Sequence, residues 1–208
     1  MFTFPHPLYT IADTLGRAEL SSIDLAKKLC VGGAKLLQLR VKDLPTRNFL
    51  NIAQEVREIC RHHKCLLIIN DRADIAHAVD ADGVHVGQED LPLAAARKVV
   101  GRRKIVGVST HDLQQAIEAE RGGADYIGFG PLFGTNTKAT GYSARGLDQL
   151  RAIRTLIRIP IVAIGGVTTA RALSALDAGA NAVAMISDLV LAADVTAKVQ
   201  DTLANLSS

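Results

Sequence analysis

The hydrophobic positions of this chain fall into short runs that alternate with longer amphipathic stretches. The runs are four to six residues long and continuously apolar, which is typical of strands buried on both faces of a parallel sheet. We predict strands over residues 8–11, 35–40, 66–70, 83–86, 105–108, 126–129, 161–164 and 182–186.

Each predicted strand is followed by a stretch whose apolar residues recur with helical spacing. We predict helices over residues 22–31, 46–62, 72–79, 92–100, 112–121, 147–157, 169–178 and 188–203. Ser21 precedes the first helix as a capping residue, and Asp188 stands near the start of the last. Glycine pairs at 32–33 and 122–123 stand where helices should end.

Repeated strand–helix units require parallel strands joined by right-handed crossovers. Eight such units predict a single α/β domain over residues 1–208, folded as a compact (β/α)8 TIM barrel. An open doubly wound sheet is the alternative, but eight evenly spaced units fit a closed barrel better.

Composition narrows the class of protein. Hydrophobic residues make up 48% of the chain, enough for a sizeable core. The net charge of +3 is spread along the chain, without the clustered Lys and Arg of a nucleic-acid-binding surface. No apolar run approaches the roughly 20 residues of a membrane span, and the N-terminus does not resemble a signal peptide. We therefore expect a cytoplasmic protein with a small charged substrate and no nucleic-acid or membrane partner.

Polar side chains cluster where the predicted strands end, at the rim that carries the active site of barrel enzymes. The junctions at the opposite rim show no comparable repeated set. The strand-end residues are Gln38, Leu39, Arg40, Val41 and Lys42 after the second strand, Asn70 and Asp71 after the third, Asp90 beyond the fourth, and Ser109 at the fifth.

Asp71 and Asp90 follow adjacent predicted strands, so their carboxylates can converge on one point. One or two carboxylates, completed by water and substrate phosphates, form the usual Mg2+ site. The alternative is that Asp71 caps a helix and Asp90 pairs with a surface cation. The cations Arg40, Lys42 and Lys138 at the same rim favour a site for Mg2+ and a diphosphate.

A loop rich in glycine and hydroxyl residues follows the sixth predicted strand and extends to about residue 146. Thr135, Thr137 and Lys138 place two hydroxyls and an ammonium within four residues, a set suited to phosphate oxygens. Long loops in compact domains are usually binding loops or lids. A plain polar surface loop is the alternative.

The ends of the last two predicted strands offer a second phosphate site. Gly165 and Gly166 follow the seventh strand, and Ile186 and Ser187 follow the eighth. The backbone N–H groups of these two loops are a frequent phosphate site in such barrels. The alternative is that the glycines only permit tight turns.

Two other clusters carry less weight. Residues 60–65, Cys-Arg-His-His-Lys-Cys, have the composition of a metal site. They fall at the opposite rim, and their spacing does not indicate a common structural zinc site, so we expect no zinc there. His85 is expected to be hydrogen-bonded inside the barrel rather than to act as a base.

Taken together, these residues resemble thiamine phosphate synthase over nearly the whole chain. Each matching stretch is modest evidence by itself, but seven of them in order at strand ends are highly specific. The stretches are 38–42, 70–71, 82–90, 108–109, 128–131 with 135–138, 163–166 and 186–187. The departures are small: Gly134 stands where the family often has Pro, and Val41 where a polar residue is frequent.

The resemblance implies a transferase that joins hydroxymethylpyrimidine diphosphate to a thiazole phosphate, giving thiamine phosphate and diphosphate. In the family the carbon–oxygen bond breaks first and leaves a carbocation stabilised by the pyrimidine. The resemblance also implies Mg2+ as the cofactor and two small phosphorylated substrates as partners, and it leaves the oligomeric state open.

Residue roles follow from the same resemblance. Asp71 and Asp90 would hold Mg2+. The pyrimidine diphosphate would be bound by Gln38, Leu39, Arg40, Val41, Lys42, Asn70, Ser109 and Lys138. Among these, the residues that would assist catalysis are Arg40, Lys42, Ser109 and Lys138. The thiazole phosphate would be bound by Thr135, Asn136, Thr137, Gly166, Ile186 and Ser187.

Two related activities are the alternatives. The paralogous thiazole tautomerase has no use for a full Mg2+–diphosphate set, so the presence of Asp71, Asp90, Lys42 and Lys138 argues against it. A non-catalytic sensor of thiazole phosphate or thiamine phosphate could keep the second phosphate site, but it would not need the carboxylates.

Overall fold

The computed structural model of this protein describes residues 2–17, 19–134 and 142–207. Eight parallel strands close into a barrel in sequential order, with β8 paired to β1. The predicted (β/α)8 barrel is therefore confirmed. The strands are β1 (Leu8–Ala12), β2 (Leu36–Leu39), β3 (Leu66–Asn70), β4 (Gly83–Val86), β5 (Ile105–Thr110), β6 (Tyr126–Phe129), β7 (Ile161–Ala163) and β8 (Ala182–Met185).

A helix follows each strand, and the helices surround the barrel. In the described ranges, no helix is both long enough and apolar enough to cross a membrane. The helices are α1 (Ser22–Val31), α2 (Thr46–His62), α3 (Ala73–Ala78), α4 (Leu93–Val100), α5 (Leu113–Arg121), α6 (Gly146–Leu156), α7 (Thr169–Asp177), α8 (Ser187–Val190) and α9 (Val195–Leu206).

The last predicted helix, over residues 188–203, is wrong in its bounds because two helices follow β8. The side chain of Asp194 accepts a hydrogen bond from the N–H of Ala197 at 3.1 Å. Asp194 therefore caps the amino-terminal end of α9, which begins as a separate helix. Asp188, expected near the start of the last helix, instead accepts from the N–H of Thr169 in α7 at 2.9 Å.

Side chains of the strands alternate between two apolar layers. On β2, Leu36 belongs to a small cluster inside the barrel with Tyr9 and Tyr126. Its neighbour Leu37 belongs to the large cluster that also contains the buried faces of the helices. Because the period of a strand is two, Gln38 then lies on the inner side and Leu39 on the outer side. This alternation decides which strand-end residues reach the interior.

The amino-terminal ends of the strands, here called the amino rim, are joined by a recurrent polar device. Asp82, just before β4, accepts a hydrogen bond from the N–H of Leu67 in β3 at 2.8 Å. The same carboxylate oxygen accepts from Nη1 of Arg57 in α2 at 2.7 Å. One side chain thus ties a helix and two strands together, and we call this arrangement an amino-rim clamp.

The clamp recurs at the next two strand pairs. In each, the side chain of the residue just before an even-numbered strand accepts two hydrogen bonds. One comes from a backbone N–H of the preceding strand, and the other comes from an arginine of the helix that precedes that strand. The sets are Asp125 with Val106 and Arg97, and Asn181 with Ile161 and Arg154. The expectation that this rim shows no repeated polar set is therefore wrong.

Candidate active site

A cavity opens at the carboxyl-terminal ends of the strands, here called the carboxyl rim. Residues from all eight strands or strand ends line it. The predicted site residues among them are Gln38, Arg40, Asn70, Ser109, Gly166, Ile186 and Ser187.

The remaining predicted residues lie elsewhere. The side chain of Leu39 is fully buried in the large core cluster, and that of Val41 packs against the same cluster. Neither side chain is among those that line the cavity, so only their backbone could contact a ligand. The four loop residues Thr135, Asn136, Thr137 and Lys138 lie outside the described residues.

Asp71 and Asp90 come together, as predicted. Asp71 has left-handed backbone geometry, with φ of 64°, and its N–H donates to the carbonyl of His85 at 2.8 Å. Asp90 accepts a hydrogen bond from the N–H of Gly87 at 2.7 Å. Burial, and then hydrogen bonding to the neighbouring Asp71 carboxyl, raise the pKa of Asp90 above its ordinary value.

Two observations bear on the alternative roles of the acids. The N-cap of α3 is Arg72, and that helix has no side-chain cap, so Asp71 is not a helix cap. Lys42 donates from Nζ to Asp71 and supplies one positive charge to a site with two carboxyls. Burial and the Asp71 carboxyl raise the pKa of Asp90, and Lys42 lowers it only as a smaller effect. Two adjacent carboxyls of this kind fit Mg2+, which takes oxygen ligands.

Arg40 is held at the mouth of the cavity by an acid that the sequence analysis missed. Its Nη1 donates to Asp13, which follows β1. Both side chains are largely buried, and both line a second, shallower pocket that shares Gly166 and Ser187 with the main cavity. Asp13 could have been found from its position, because it stands two residues after the first predicted strand, at the same rim as Asp71.

A chain of hydrogen bonds crosses the interior below the cavity. Nε2 of Gln38 donates to the hydroxyl of Tyr9 at 2.9 Å, and that hydroxyl pairs with the hydroxyl of Tyr126 at 2.9 Å. His85 continues the chain, with Nδ1 2.9 Å from the Tyr126 hydroxyl and Nε2 2.9 Å from Oγ of Ser109. The chain connects two predicted pyrimidine diphosphate contacts, Gln38 and Ser109.

Burial keeps the two tyrosines of this chain in their neutral form, since it raises the pKa of Tyr9 and of Tyr126 well above the ordinary value. Neutral phenols can each donate one hydrogen bond and accept others. His85 is hydrogen-bonded inside the barrel, as expected. The tyrosines were not predicted to line the site, because each stands in a strand made up mainly of apolar residues.

The loop after β7 can bind a ligand through its backbone N–H groups. Gly165 and Gly166 have φ of 83° and 67°, and a Cβ on Gly166 would lie 2.9 Å from Cβ of Phe133. Only glycine fits there. Within the described ranges, the N–H groups of Gly166, Val167 and Ser187 donate to no acceptor. Unpaired N–H groups of this kind are anion-binding groups.

Arg171, also missed by the sequence analysis, adds positive charge beside this loop. Its Nη1 donates to the carbonyl of Gly166 at 3.0 Å, and its guanidinium lies 5.0 Å from the centre of the Phe133 ring. It lines the shallower pocket. No strand-end pattern points to it, because it stands in the first turn of α7.

Comparison with known proteins agrees with this geometry. A family model described as thiamine monophosphate synthase matches residues 8–189. The chain belongs to that family. The resemblance drawn from the strand-end stretches is confirmed.

Members of the thiamine monophosphate synthase family match over most of their length. Thiamine-phosphate synthase from Chloroflexus aurantiacus is 47% identical over 203 residues, which cover 96% of this chain and 92% of the relative. The enzyme of that name from Methanospirillum hungatei is 46% identical over 190 residues, 91% of this chain and 92% of its own. A solved structure of thiamine phosphate pyrophosphorylase from Pyrococcus furiosus has a TM-score of 0.87 and 36% identity, covering 96% of this chain and 95% of that one.

Proposed function

We propose that this protein is a thiamine-phosphate synthase, a transferase that joins hydroxymethylpyrimidine diphosphate to a thiazole phosphate and releases diphosphate. Family membership supports the activity. The observation that carries the substrate assignment is the presence of two residue sets beside one cavity, one suited to Mg2+ with its diphosphate and the other to a phosphate anion. One contains the Asp71–Asp90 pair with Lys42, and the other contains the backbone around Gly166 and Ser187.

The pyrimidine would lie over Gln38 and Asn70. Nε2 of Gln38 is committed to Tyr9, whereas its carbonyl oxygen accepts no hydrogen bond from the described residues. An amide oxygen held in this way can accept from an exocyclic amino group on the substrate. Asn70, at the end of β3, lines the same cavity and would complete the recognition of the ring.

The leaving diphosphate would be bound by the cations and hydroxyls of the rim. Arg40, Lys42 and Ser109 would donate to its oxygens, and Lys138 would be added from the loop. Asp71 and Asp90 would hold Mg2+, which when bound would neutralise charge on the departing group. The backbone around Gly166, Ile186 and Ser187, with Thr135, Asn136 and Thr137 from the loop, would bind the thiazole phosphate.

In the proposed reaction the bond between the pyrimidine methylene carbon and the diphosphate oxygen breaks first. The electron pair leaves with diphosphate, and the lone pair of the thiazole nitrogen then forms the new carbon–nitrogen bond. No protein base is required, and His85 is engaged by Tyr126 and Ser109. The main chemical demand is stabilisation of negative charge in a water-poor site, which closure of the loop over residues 130–146 would provide.

An assay with both substrates tests this function. The purified chain is incubated with hydroxymethylpyrimidine diphosphate and thiazole phosphate, first with Mg2+ and then with a chelator. We expect thiamine phosphate and diphosphate in equal amounts, and only when Mg2+ is present. Tight thiazole phosphate binding without any product would contradict the synthase activity and favour the tautomerase or the sensor.

A further inference from the structure

Three cysteine sulfurs converge in the core near the amino rim. Cys30 lies in the last turn of α1, Cys60 lies near the end of α2, and Cys65 immediately precedes β3. Their Sγ atoms all lie within 4.8 Å of one another. The three residues are 3%, 0% and 4% exposed, and all three are free thiols.

The local structure explains why these sulfurs meet. The chain turns between α2 and β3 through Lys64, which has φ of 53°, and the N–H of Cys65 donates to the carbonyl of Cys60 at 2.9 Å. This turn brings two sulfurs together, and the packing of α1 against α2 adds the third. The sequence alone groups only residues 60–65, because Cys30 is distant along the chain.

Buried cysteines often act only as small apolar residues, but basic side chains surround this cluster. Lys35 and His63 lie near Cys30, and Arg57 stands one turn before Cys60 on α2. Arg57 is only 9% exposed, and its Nε has no hydrogen-bond partner in the described part of the chain.

The geometry selects the kind of ion that could bind. Thiolates at about 2.3 Å from a common metal ion lie about 4 Å apart, within the observed separation. A structural zinc ion almost always takes four ligands. Among the described residues only these three form the group, and their burial leaves no exposed face for water to complete the set. Thiolate ligands without a fourth partner suit copper(I).

We propose that Cys30, Cys60 and Cys65 form a closed three-sulfur site for a thiophilic ion of low coordination number, and that this ion is copper(I). Binding forms three metal–sulfur bonds and releases to solvent the protons that the thiols carried. The ion would link α1, α2 and β3 at the rim away from the active site. Because only the folded chain brings the three sulfurs together, it would bind the ion more tightly than the unfolded chain does, and the melting temperature would rise.

Copper(I) titration of the full chain tests the proposal. Metal-free, reduced protein is titrated without oxygen, in competition with a coloured copper(I) chelator. We expect one copper per chain, a higher melting temperature, and an X-ray absorption spectrum with three sulfur neighbours and no nitrogen. Binding of no copper, or a copper shell that contains nitrogen, would overturn the proposal. Tighter binding of Zn2+ than of copper(I) would do the same.

Variants locate the site. Cys30→Ala, Cys60→Ala and Cys65→Ala should each weaken copper(I) binding by more than about 100-fold, since even loss of an outer-shell partner costs 10–100-fold. His62→Ala, which removes another metal-binding side chain from residues 60–65, should bind copper as the natural chain does. Undiminished binding in any folded cysteine variant would overturn the assignment. If no variant folds, the sulfur-only spectrum of the natural chain decides.

Discussion

The two rims of this barrel are built from the same strand–helix units but use their polar residues in opposite ways. At the amino rim, Asp82, Asp125 and Asn181 are satisfied by arginines and backbone N–H groups of the chain itself. At the carboxyl rim, two carboxyls are placed side by side, and the N–H of Gly166 finds no acceptor in the described ranges.

The difference separates stability from function. Removing one partner from a satisfied buried charge network leaves an uncompensated charge and destabilises the fold. Adjacent carboxyls and left-handed backbone at Asp71 cost stability instead, so such features persist where a ligand uses them. We therefore expect substitutions at one rim to change stability and those at the other to change turnover.

The largest effect is expected for Asp71→Asn, which keeps the shape of the side chain and its tolerance of left-handed backbone. Loss of a charged oxygen beside Asp90 should lower kcat by about 1,000-fold, as for loss of one strong electrostatic contact. The melting temperature should stay the same or rise, because a like charge is removed. Steady-state kinetics and thermal unfolding measure the two effects, and a destabilised variant with normal kcat would reverse the roles of the rims.

Asp82→Ala tests the amino rim. The substitution leaves the buried Arg57 guanidinium without its close partner and should destabilise the fold by about 3 kcal/mol, with little change in kcat. The matched control is Asp80→Asn, at an acid that is 65% exposed and should cost less than about 1 kcal/mol. Denaturant unfolding measures both. Equal losses for the two variants would show that the clamp contributes nothing specific.

Tyr126→Phe tests the chain of hydrogen bonds that runs from Gln38 through Tyr9, Tyr126 and His85 to Ser109. Loss of the hydroxyl leaves His85 and Tyr9 each with one partner fewer and should destabilise the fold by about 1–2 kcal/mol. Because His85 then orients Ser109 less well, kcat/KM for the pyrimidine diphosphate should fall while KM for the thiazole phosphate stays constant. A change confined to the thiazole KM would refute this link between His85 and the pyrimidine diphosphate.

The smallest effect expected is a pH dependence of Mg2+ binding. The raised pKa of Asp90 means that its protonated form adds stability below the unfolded pKa, and this stability is lost as pH rises through the folded pKa. Mg2+ needs the ionised form, so its affinity should fall as pH is lowered, starting at a higher pH than for an ordinary aspartate. Calorimetric Mg2+ titrations with diphosphate present, at several pH values, check this. Onset at the pH of an ordinary aspartate would contradict the raised pKa.

Much of the fold and part of the site could be predicted because both follow the chain in order. Buried parallel strands leave continuous apolar runs, so eight strands and their carboxyl ends were visible in the pattern. Gln38, Asn70 and Ser109 could then be placed at one rim, and they do line the cavity.

What could not be predicted depends on side chains that meet across the barrel. The clamp formed by Arg57 and Asp82 joins residues 25 positions apart in sequence, and the stretch 82–90 does not by itself indicate this contact. Tyr9 and Tyr126 look like core residues until their hydroxyls are seen to pair. The helix break before Asp194 was hidden because the apolar spacing continues through it.

The central claim is that the carboxyl rim is an Mg2+-dependent site organised by Asp71 and Asp90. The most direct test is the rate of thiamine phosphate formation as a function of Mg2+ concentration, for the natural chain and for Asp71→Asn. We predict a saturable Mg2+ requirement in the natural chain and almost no rate at any Mg2+ concentration in the variant. Equal rates for the two proteins, or product formation in the presence of chelator, would contradict the claim.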